Sequence, residues 1–448
     1  MKYIRAFNKL AEKKQIYPDI PVIDGGANPE VFVNGKKLLM FSSNNYLGLT
    51  SHPEIKEAAH EAIEKYGTGS GGSRLLSGNL KIHEEAERKI AAFKGGEAAI
   101  IFPTGYSANI GAISGFLDLL KISPRYFFMR RGMVFSDDLN HASIIDGCRL
   151  SGARTVVYPH KDMNVLEAKL KRHRRRRKLI ITDGVFSMDG DIAPLDQIAY
   201  LAKKYDAVTM VDEAHATGVL GAHGHGTIEH FHLKPMEDID IIMGTFSKSV
   251  GAVGGYVVGS EDLIRYLRVA SRSYMFSAAM PPVTAATIIA AIDLMENDPT
   301  LRTKLWENTN HLKEGFKNLG FNTFSSETQI IPILIGKDDK GVEFSRRLVD
   351  YGIYGPCVRW PAVRRNQSRI RFTVMASHTR EQIDYLLDCC RSLGNKMNLI
   401  TMNPPLSPLA SFRRRQDEPH DKTRGGESRG PAAAGLKIDQ EKVDPAPG

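Results

Sequence analysis

AVTMVDEAH at 207–215 and DIIMGTFSKSVGAVGGYVVG at 240–259 contain short apolar, β-branched runs punctuated by Gly, Ser and Asp. Such runs are too short for helices and read as strands buried on both faces. AAIIF, TVVY and KLIITDG upstream have the same character, while HPEIKEAAHEAIEKY and HEEAERKIAAF repeat at the helical period. The βα alternation from residue 53 to about 260 predicts an α/β domain built on a large, mainly parallel sheet. Beyond MPP at 280–282 come two helical stretches, VTAATIIAAIDLMEN and RTKLWENTNHLKEGFKNL. They are followed by strands QIIPILIG and SRIRFTVM and a closing helix, REQIDYLLDCCRSL. This part reads as a smaller α+β domain. The expected organisation is an N-terminal segment (1–50), a large domain (51–280), a small C-terminal domain (281–400), and a tail (401–448) whose composition predicts disorder.

The chain has 448 residues, 42% of them hydrophobic and 25% charged, with 60 Lys and Arg against 51 Asp and Glu. That composition excludes a chain disordered throughout. A surplus of nine positive charges raises the question of an acidic partner. However, KLKRHRRRRK (169–178) alone holds eight basic residues and no acid, so nearly all of the surplus sits in one run. Without interleaved aromatics to stack on bases, the run reads as a solvated helix end rather than a nucleic-acid site. Cys148, Cys357, Cys389 and Cys390 show no CxxC spacing, which favours a reducing compartment. No apolar stretch approaches the length of a membrane span, and MKYIRAFNKLAEKK reads as an amphipathic helix rather than a signal peptide. The expectation is a soluble cytoplasmic protein without bound metal.

Chemistry concentrates where strands end. GTGSGG (67–72) matches G-x-G-x-x-G literally, but a helix precedes it, so a dinucleotide site is rejected. Its glycines are expected to let backbone approach a ligand or another subunit. Asp212 and His215 lie at the carboxyl end of a strand, where open α/β sheets bind ligands. Lys248 follows in a loop of small residues. Burial there would favour the neutral amine that forms a Schiff base with a carbonyl. Local composition leaves a surface lysine in a flexible loop equally open.

The wider pattern resembles the α-oxoamine synthase family of PLP-dependent enzymes, over about residues 38–395. The resemblance rests on SNNYLGL (43–49), GTGSGGSRLLSGN (67–79), FPTGYSAN (102–109), LNHASIIDG (139–147) and DGVFSMDGD (183–191). It continues in VDEAHATGVLG (211–221), TFSKSVGAVGG (245–255), FSAAMPP (276–282) and RIRFT (369–373). It implies the type I (aspartate aminotransferase-like) fold and pyridoxal 5'-phosphate as cofactor. The implied reaction condenses an amino acid with an acyl-CoA, or an acyl-carrier equivalent, releasing carbon dioxide and CoA and leaving an α-aminoketone.

By the same resemblance, Lys248 binds the cofactor covalently and then acts as base, and Asp212 contacts its pyridine nitrogen. His215 serves its phenolic oxygen or the thioester carbonyl, and His141 stacks on the ring. Ser187 lies beside the phenolic oxygen. The backbone of Gly105 and Tyr106 and the hydroxyls of Thr245 and Ser247 hold the phosphate. Ser277 comes from a neighbouring subunit, which implies a homodimer with active sites at its interface. Arg371, assisted by Asn44, anchors the substrate carboxylate.

KISPRYFFMRRGMVFSDDLNHAS (121–143) is longer and more aromatic than the family pattern. VFSMDGDIAPL, GGSRLLSGN and LNHASIIDGCRLSGA are most like members that use alanine with a pimeloyl thioester or glycine with acetyl-CoA. TFSKSVGAVGGYVV and FSAAMPP lean toward bacterial members that use serine with a palmitoyl thioester. An aminotransferase of the same fold without CoA chemistry, and a non-catalytic basic binding protein, are the readings from other classes.

Overall fold

Seven strands form the central sheet of the computed structural model. In spatial order they are Ala98–Phe102, Gly255–Gly259, Ile241–Thr245, Val208–Asp212, Lys178–Asp183, Met133–Asp137 and Arg154–Tyr158. Six run the same way. Gly255–Gly259 alone is reversed, pairing antiparallel with both neighbours. The structure describes residues 1–13, 20–117, 132–174 and 176–400. The tail at 401–448 and the aromatic part of the long stretch, up to residue 131, lie outside the described residues.

Alternation along the strands explains why both faces are covered. In Lys178–Asp183, Leu179 and Ile181 join a core with Ala108, Ala112, Ile113 and Ile144 from helices Gly105–Leu117 and Ala142–Ser151. Ile180, between them, joins Leu166, Leu170, Ile198 and Leu201 from helices Met163–Arg172 and Leu195–Tyr205 on the other face. A strand sandwiched in this way has no solvent-facing side, so it shows an unbroken apolar run rather than alternation.

The smaller C-terminal part is a three-stranded antiparallel sheet, Ile330–Gly336, Ser368–Thr373 and Cys357–Val358, covered by helices Pro299–Leu319, Asp338–Asp350 and Arg380–Lys396. Helix Pro282–Asn297 precedes it in sequence but packs along Pro53–Tyr66 and Lys81–Lys94. The chain breaks between Pro282–Asn297 and Pro299–Leu319, where the Asp298 side chain accepts from the Thr300 amide at 2.9 Å and Pro299 starts a new helix.

Two features differ from the sequence reading. Met133–Asp137 is a fully buried strand that the reading leaves inside the aromatic stretch. N-terminal strands Ile23–Asp24, Glu30–Val33 and Lys36–Met40 extend through a parallel pairing of Leu39 with Ile353 and Met40 with Tyr354. Two glycines of 67–79 are required within the loop itself. A Cβ on Gly78 would sit 2.1 Å from the Gly72 carbonyl oxygen, and one on Gly72 would sit 2.3 Å from Ser77 Oγ. The loop therefore folds tightly on itself.

In the basic run, Lys169, Lys171 and Arg172 occupy the last turn of Met163–Arg172, where cations complement the helix dipole. The Lys178 ammonium donates to the carbonyls of Arg174 and Arg176 at 3.3 and 2.6 Å.

His160 braces the loops beyond two strands. Its Nδ1 is 3.0 Å from Asp137 and its Nε2 is 2.8 Å from Asp191, and Lys161 Nζ reaches Asp191 at 3.1 Å. Burial alone would lower the imidazole pKa, but hydrogen bonds and charge from Asp137 and Asp191 outweigh it and raise it to about 9. A folded-state pKa above the unfolded value of about 6.5 gives stabilisation that is complete below that value and lost as pH rises through about 9. His160→Gln should therefore lower the melting temperature by several degrees at pH 6.5. The difference from wild type should shrink toward pH 9.5 in paired thermal melts.

Candidate active site

Because the sheet is mainly parallel, the loops after five strands open on the same edge. Phe102 leads to Thr104, Gly105 and Tyr106, and Asp137 leads to His141. Asp183 leads to Ser187, Asp212 to His215, and Thr245 to Ser247 and Lys248. These residues line one cavity of about 280 Å³, together with Asn109, Ser143 and Gly254. Nine of the twelve residues singled out from sequence line it directly, and two more reach it through a contact. Arg371, on a strand of the smaller sheet, and Asn44, in the loop after Lys36–Met40, are these two. The Arg371 Nε donates to the Ser187 carbonyl oxygen, and its guanidinium lies 3.4–3.5 Å from Asn44 Oδ1. Ser277 does not line the cavity of its own chain.

Each group is held by named partners. Asp212 is buried. Its Oδ2 accepts from Asn109 Nδ2 at 2.7 Å and its Oδ1 from the Ala214 amide at 2.9 Å. Asp183 is buried on the neighbouring strand in direct register with Asp212, and its Oδ2 accepts from the His141 amide at 2.9 Å. His141 caps helix Ala142–Ser151, with Nδ1 2.7 Å from Ser143 Oγ. The Tyr46 hydroxyl lies 2.7 Å from His215 Nδ1 and 2.9 Å from Asn44 Oδ1. At the start of helix Gly105–Leu117, the amides of Ser107 and Ala108 bond to Thr104. Gly105 and Tyr106 face the cavity one position ahead, at the positive end of the helix dipole. Thr245 Oγ1 and Ser247 Oγ lie 2.9 Å apart.

Burial sets the electrostatics. It lowers the Lys248 pKa to about 8 against the opposing charges of Asp212 and Asp183. At pH 7 about one amine in ten is then neutral, against fewer than about one in a thousand for an ordinary lysine, and at pH 8 about half. Burial, then the charges of Lys248, Arg371 and His141, push His215 well below the usual histidine range. Burial lowers His141 as well, against the pull of Asp212. Burial and the neighbouring Asp212 carboxylate push Asp183 well above the carboxylate range. The site thus holds two neutral imidazoles and an amine ready to lose its proton.

Sequence reasoning missed Asp183, Asn109 and Tyr46. Asp183 ends the run KLIITD as Asp212 ends AVTMVD, so an alignment of strand ends could have paired them. Nothing in the sequence marked Asn109 or Tyr46 beyond their place in FPTGYSAN and SNNYLGL.

A fold of this class, with a buried lysine beside an aspartate at the sheet edge, agrees with the comparisons. The family profile described as aminotransferase class I and II matches residues 36–389. The chain is 46% identical over 396 residues to an 8-amino-7-oxononanoate synthase of Thermoanaerobacter pseudethanolicus, covering 88% of this chain and 97% of the relative. It is 48% identical over 360 residues to a serine palmitoyltransferase of Bacteriovorax stolpii, covering 80% and 83%. Among solved structures, a serine palmitoyltransferase from S. paucimobilis with bound PLP-myriocin aldimine superposes with a TM-score of 0.82 at 33% identity, covering 89% of this chain and 98% of that one. The chain belongs to the aminotransferase class I and II family. Within it, the chain is an α-oxoamine synthase, a PLP-dependent acyltransferase.

Proposed function

We propose that the protein condenses L-alanine with a pimeloyl thioester, releasing carbon dioxide and the thiol and giving 8-amino-7-oxononanoate. The observation that carries the chemistry is a buried Lys248 of lowered pKa within one cavity with Asp212, His141 and His215. The choice of substrates is supported by several relatives at 41–46% identity that bear the synthase name. Serine with a long acyl thioester is the second reading, favoured by the 48% identity to a serine palmitoyltransferase.

The cavity fits PLP in the chemistry of its donors. Amides at a helix start and the hydroxyls of Thr245 and Ser247 suit a phosphate. A buried carboxylate, Asp212, suits a pyridinium nitrogen, and the buried Asn109 Oδ1 has no partner among the described residues. Lys248, Asp212, His141, Ser187, Thr245, Ser247 and the backbone of Gly105 and Tyr106 would hold the group. When bound, PLP supplies an electron sink for charge developing at the substrate Cα.

The remaining work falls to the chain's own groups. Arg371 and Asn44 hold the amino acid carboxylate, a planar guanidinium being suited to two parallel hydrogen bonds. The neutral Lys248 amine takes the Cα proton and later returns one. His215 stays neutral beside Lys248 and Arg371. Its Nδ1 is engaged by Tyr46, which fixes the ring and leaves Nε2 for the thioester carbonyl. The Tyr46 hydroxyl has one proton for two acceptors. When it donates to Nδ1, Nε2 carries the hydrogen that polarises the carbonyl. Asp183 holds the His141 backbone and thereby the imidazole that would lie against the cofactor.

We further propose a homodimer in which Ser277 completes the partner's phosphate site. Support comes from the surface around it. The Ser73–Ala278 bridge and the bond from Ser70 Oγ to the Met280 carbonyl at 2.5 Å tie two loops together. Those loops leave Leu76 and Phe276 87% and 70% exposed. Among the described residues no helix is long and apolar enough to cross a membrane. With four free thiols, a cytoplasmic location fits.

Two measurements test these readings. In the first, apo-protein is mixed with PLP and borohydride-reducible visible absorbance is followed. The rate of attachment should rise with pH with a midpoint near 8. Asp212→Asn should move that midpoint down more than Asp183→Asn does, because losing a neighbouring negative charge favours the neutral amine. Lys248→Ala should show no attachment. In the second, holoenzyme is offered alanine, glycine and serine against pimeloyl-, acetyl- and palmitoyl-CoA, with thiol release as readout. Alanine with pimeloyl-CoA should give the highest kcat/KM, and Arg371→Lys should raise the KM for alanine by about 10-fold or more. Preference for serine with palmitoyl-CoA would select the second reading. Amino-group transfer without thiol release would remove both.

A further inference from the structure

GAHGHGTIEHFH (221–232) follows the active-site strand and places four histidines within twelve residues. Three side chains of this segment converge outside the cavity. His223 Nδ1 is 2.6 Å from Glu229 Oε1, and His225 Nδ1 is 4.0 Å from Glu229 Oε2. All three ligand atoms lie within 4.8 Å of one another. The imidazole centroids are 5.5 Å apart, and Phe93 packs edge-on against His225.

The loop is built around the carboxylate. Glu229 accepts from the His223 amide at 3.0 and 3.2 Å and from the His225 amide at 2.9 Å. A Cβ on Gly221 would lie 2.1 Å from Glu229 Oε2, so only glycine lets the chain wrap so closely. The carboxylate is therefore fixed, while the imidazole of His223 is exposed and that of His225 half-buried. Tetrahedral zinc with nitrogen ligands at about 2.0–2.1 Å needs ligand atoms about 3.3 Å apart. The present separations bracket that value, and rotation of the two imidazoles would equalise them.

We propose that His223, His225 and Glu229 form a binding site for a divalent transition metal of the zinc class, with a fourth position open to water. Two imidazoles and one carboxylate suit zinc better than calcium or magnesium, which prefer all-oxygen shells. The other cluster of metal-ligating groups among the described residues, Asp137, Asp138 and His160, does not qualify. There both nitrogens of His160 are already engaged by carboxylates, and Lys161 supplies a further cation. Around the proposed site, Lys94 and Arg302 bond the backbone carbonyls of His225 and Ala222 rather than Glu229.

The test is zinc titration of the holoenzyme by calorimetry, with metal analysis after gel filtration, repeated with Co2+ for its visible ligand-field bands. Wild type should bind one equivalent and show the bands. His223→Ala, His225→Ala and Glu229→Gln should each weaken binding by about 10-fold or more. His230→Ala/His232→Ala should bind like wild type. Turnover should be unchanged in His223→Ala and His225→Ala, since neither residue lines the cavity, and this also shows that the variants fold. No stoichiometric binding by wild type, or binding that survives loss of both His223 and His225, overturns the proposal. So does binding that depends on His230 or His232 instead.

Discussion

The structure turns on one buried cation beside two buried carboxylates. Removing an ammonium from water is costly unless negative charge compensates, and Lys248 has Asp212 and Asp183 for this purpose. Those two acids end adjacent parallel strands at the same register, so they cannot both be ionised cheaply in a low-dielectric site. Asp183 has one N–H donor, from the His141 amide, and burial followed by the Asp212 charge favours its protonated form. The charge of Lys248 is therefore offset less than two full carboxylates would offset it. This leaves the lysine pKa low enough for the amine to be neutral in an appreciable fraction of molecules at physiological pH.

The histidines follow from the same balance. With Lys248 and Arg371 already nearby, a third positive charge would be repelled, and both His141 and His215 are kept neutral. Neutral imidazole can donate at one nitrogen and accept at the other, which charged imidazolium cannot. Tyr46 and Ser143 each occupy one ring nitrogen, and the other is left for chemistry.

Legibility in the sequence followed the range of the interactions. Strands such as Lys178–Asp183 were readable because burial on both faces leaves an apolar run in the sequence itself. Met133–Asp137 was not, since its five residues directly follow the charged and aromatic stretch PRYFFMRRG. The N-terminal strands carry Lys36 and Lys37 and are completed by Ile353–Tyr354, more than three hundred residues away, so no local pattern announces the pairing. At the site, Asp212 and His215 stood out because they close a strand whose carboxyl end faces the ligand side of such a sheet, whereas Lys248, in a loop of small residues, was decided only by the family resemblance. Asp183 acquires its meaning only from register with Asp212, and Tyr46 only from a contact with His215, 169 residues away.

That last kind of contact also explains why the smaller sheet matters to the chemistry. Arg371 belongs to a strand of that sheet, yet it must be placed relative to an amine on the large one. Side-chain bonds help fix the relation. Thr328 Oγ1 donates to the Gly190 carbonyl at 2.8 Å, and Gln329 Nε2 to the His215 carbonyl at 2.9 Å. Arg369 pairs with Asp189, and Arg371 itself donates to the Ser187 carbonyl. All four land on the loop 187–190 or on His215, the segments that flank the cavity. Carboxylate anchor, imidazole and amine therefore share one set of supports. A displacement of the smaller sheet would misplace the substrate relative to the base, a geometric error to which proton transfer and carbon–carbon bond formation are steeply sensitive.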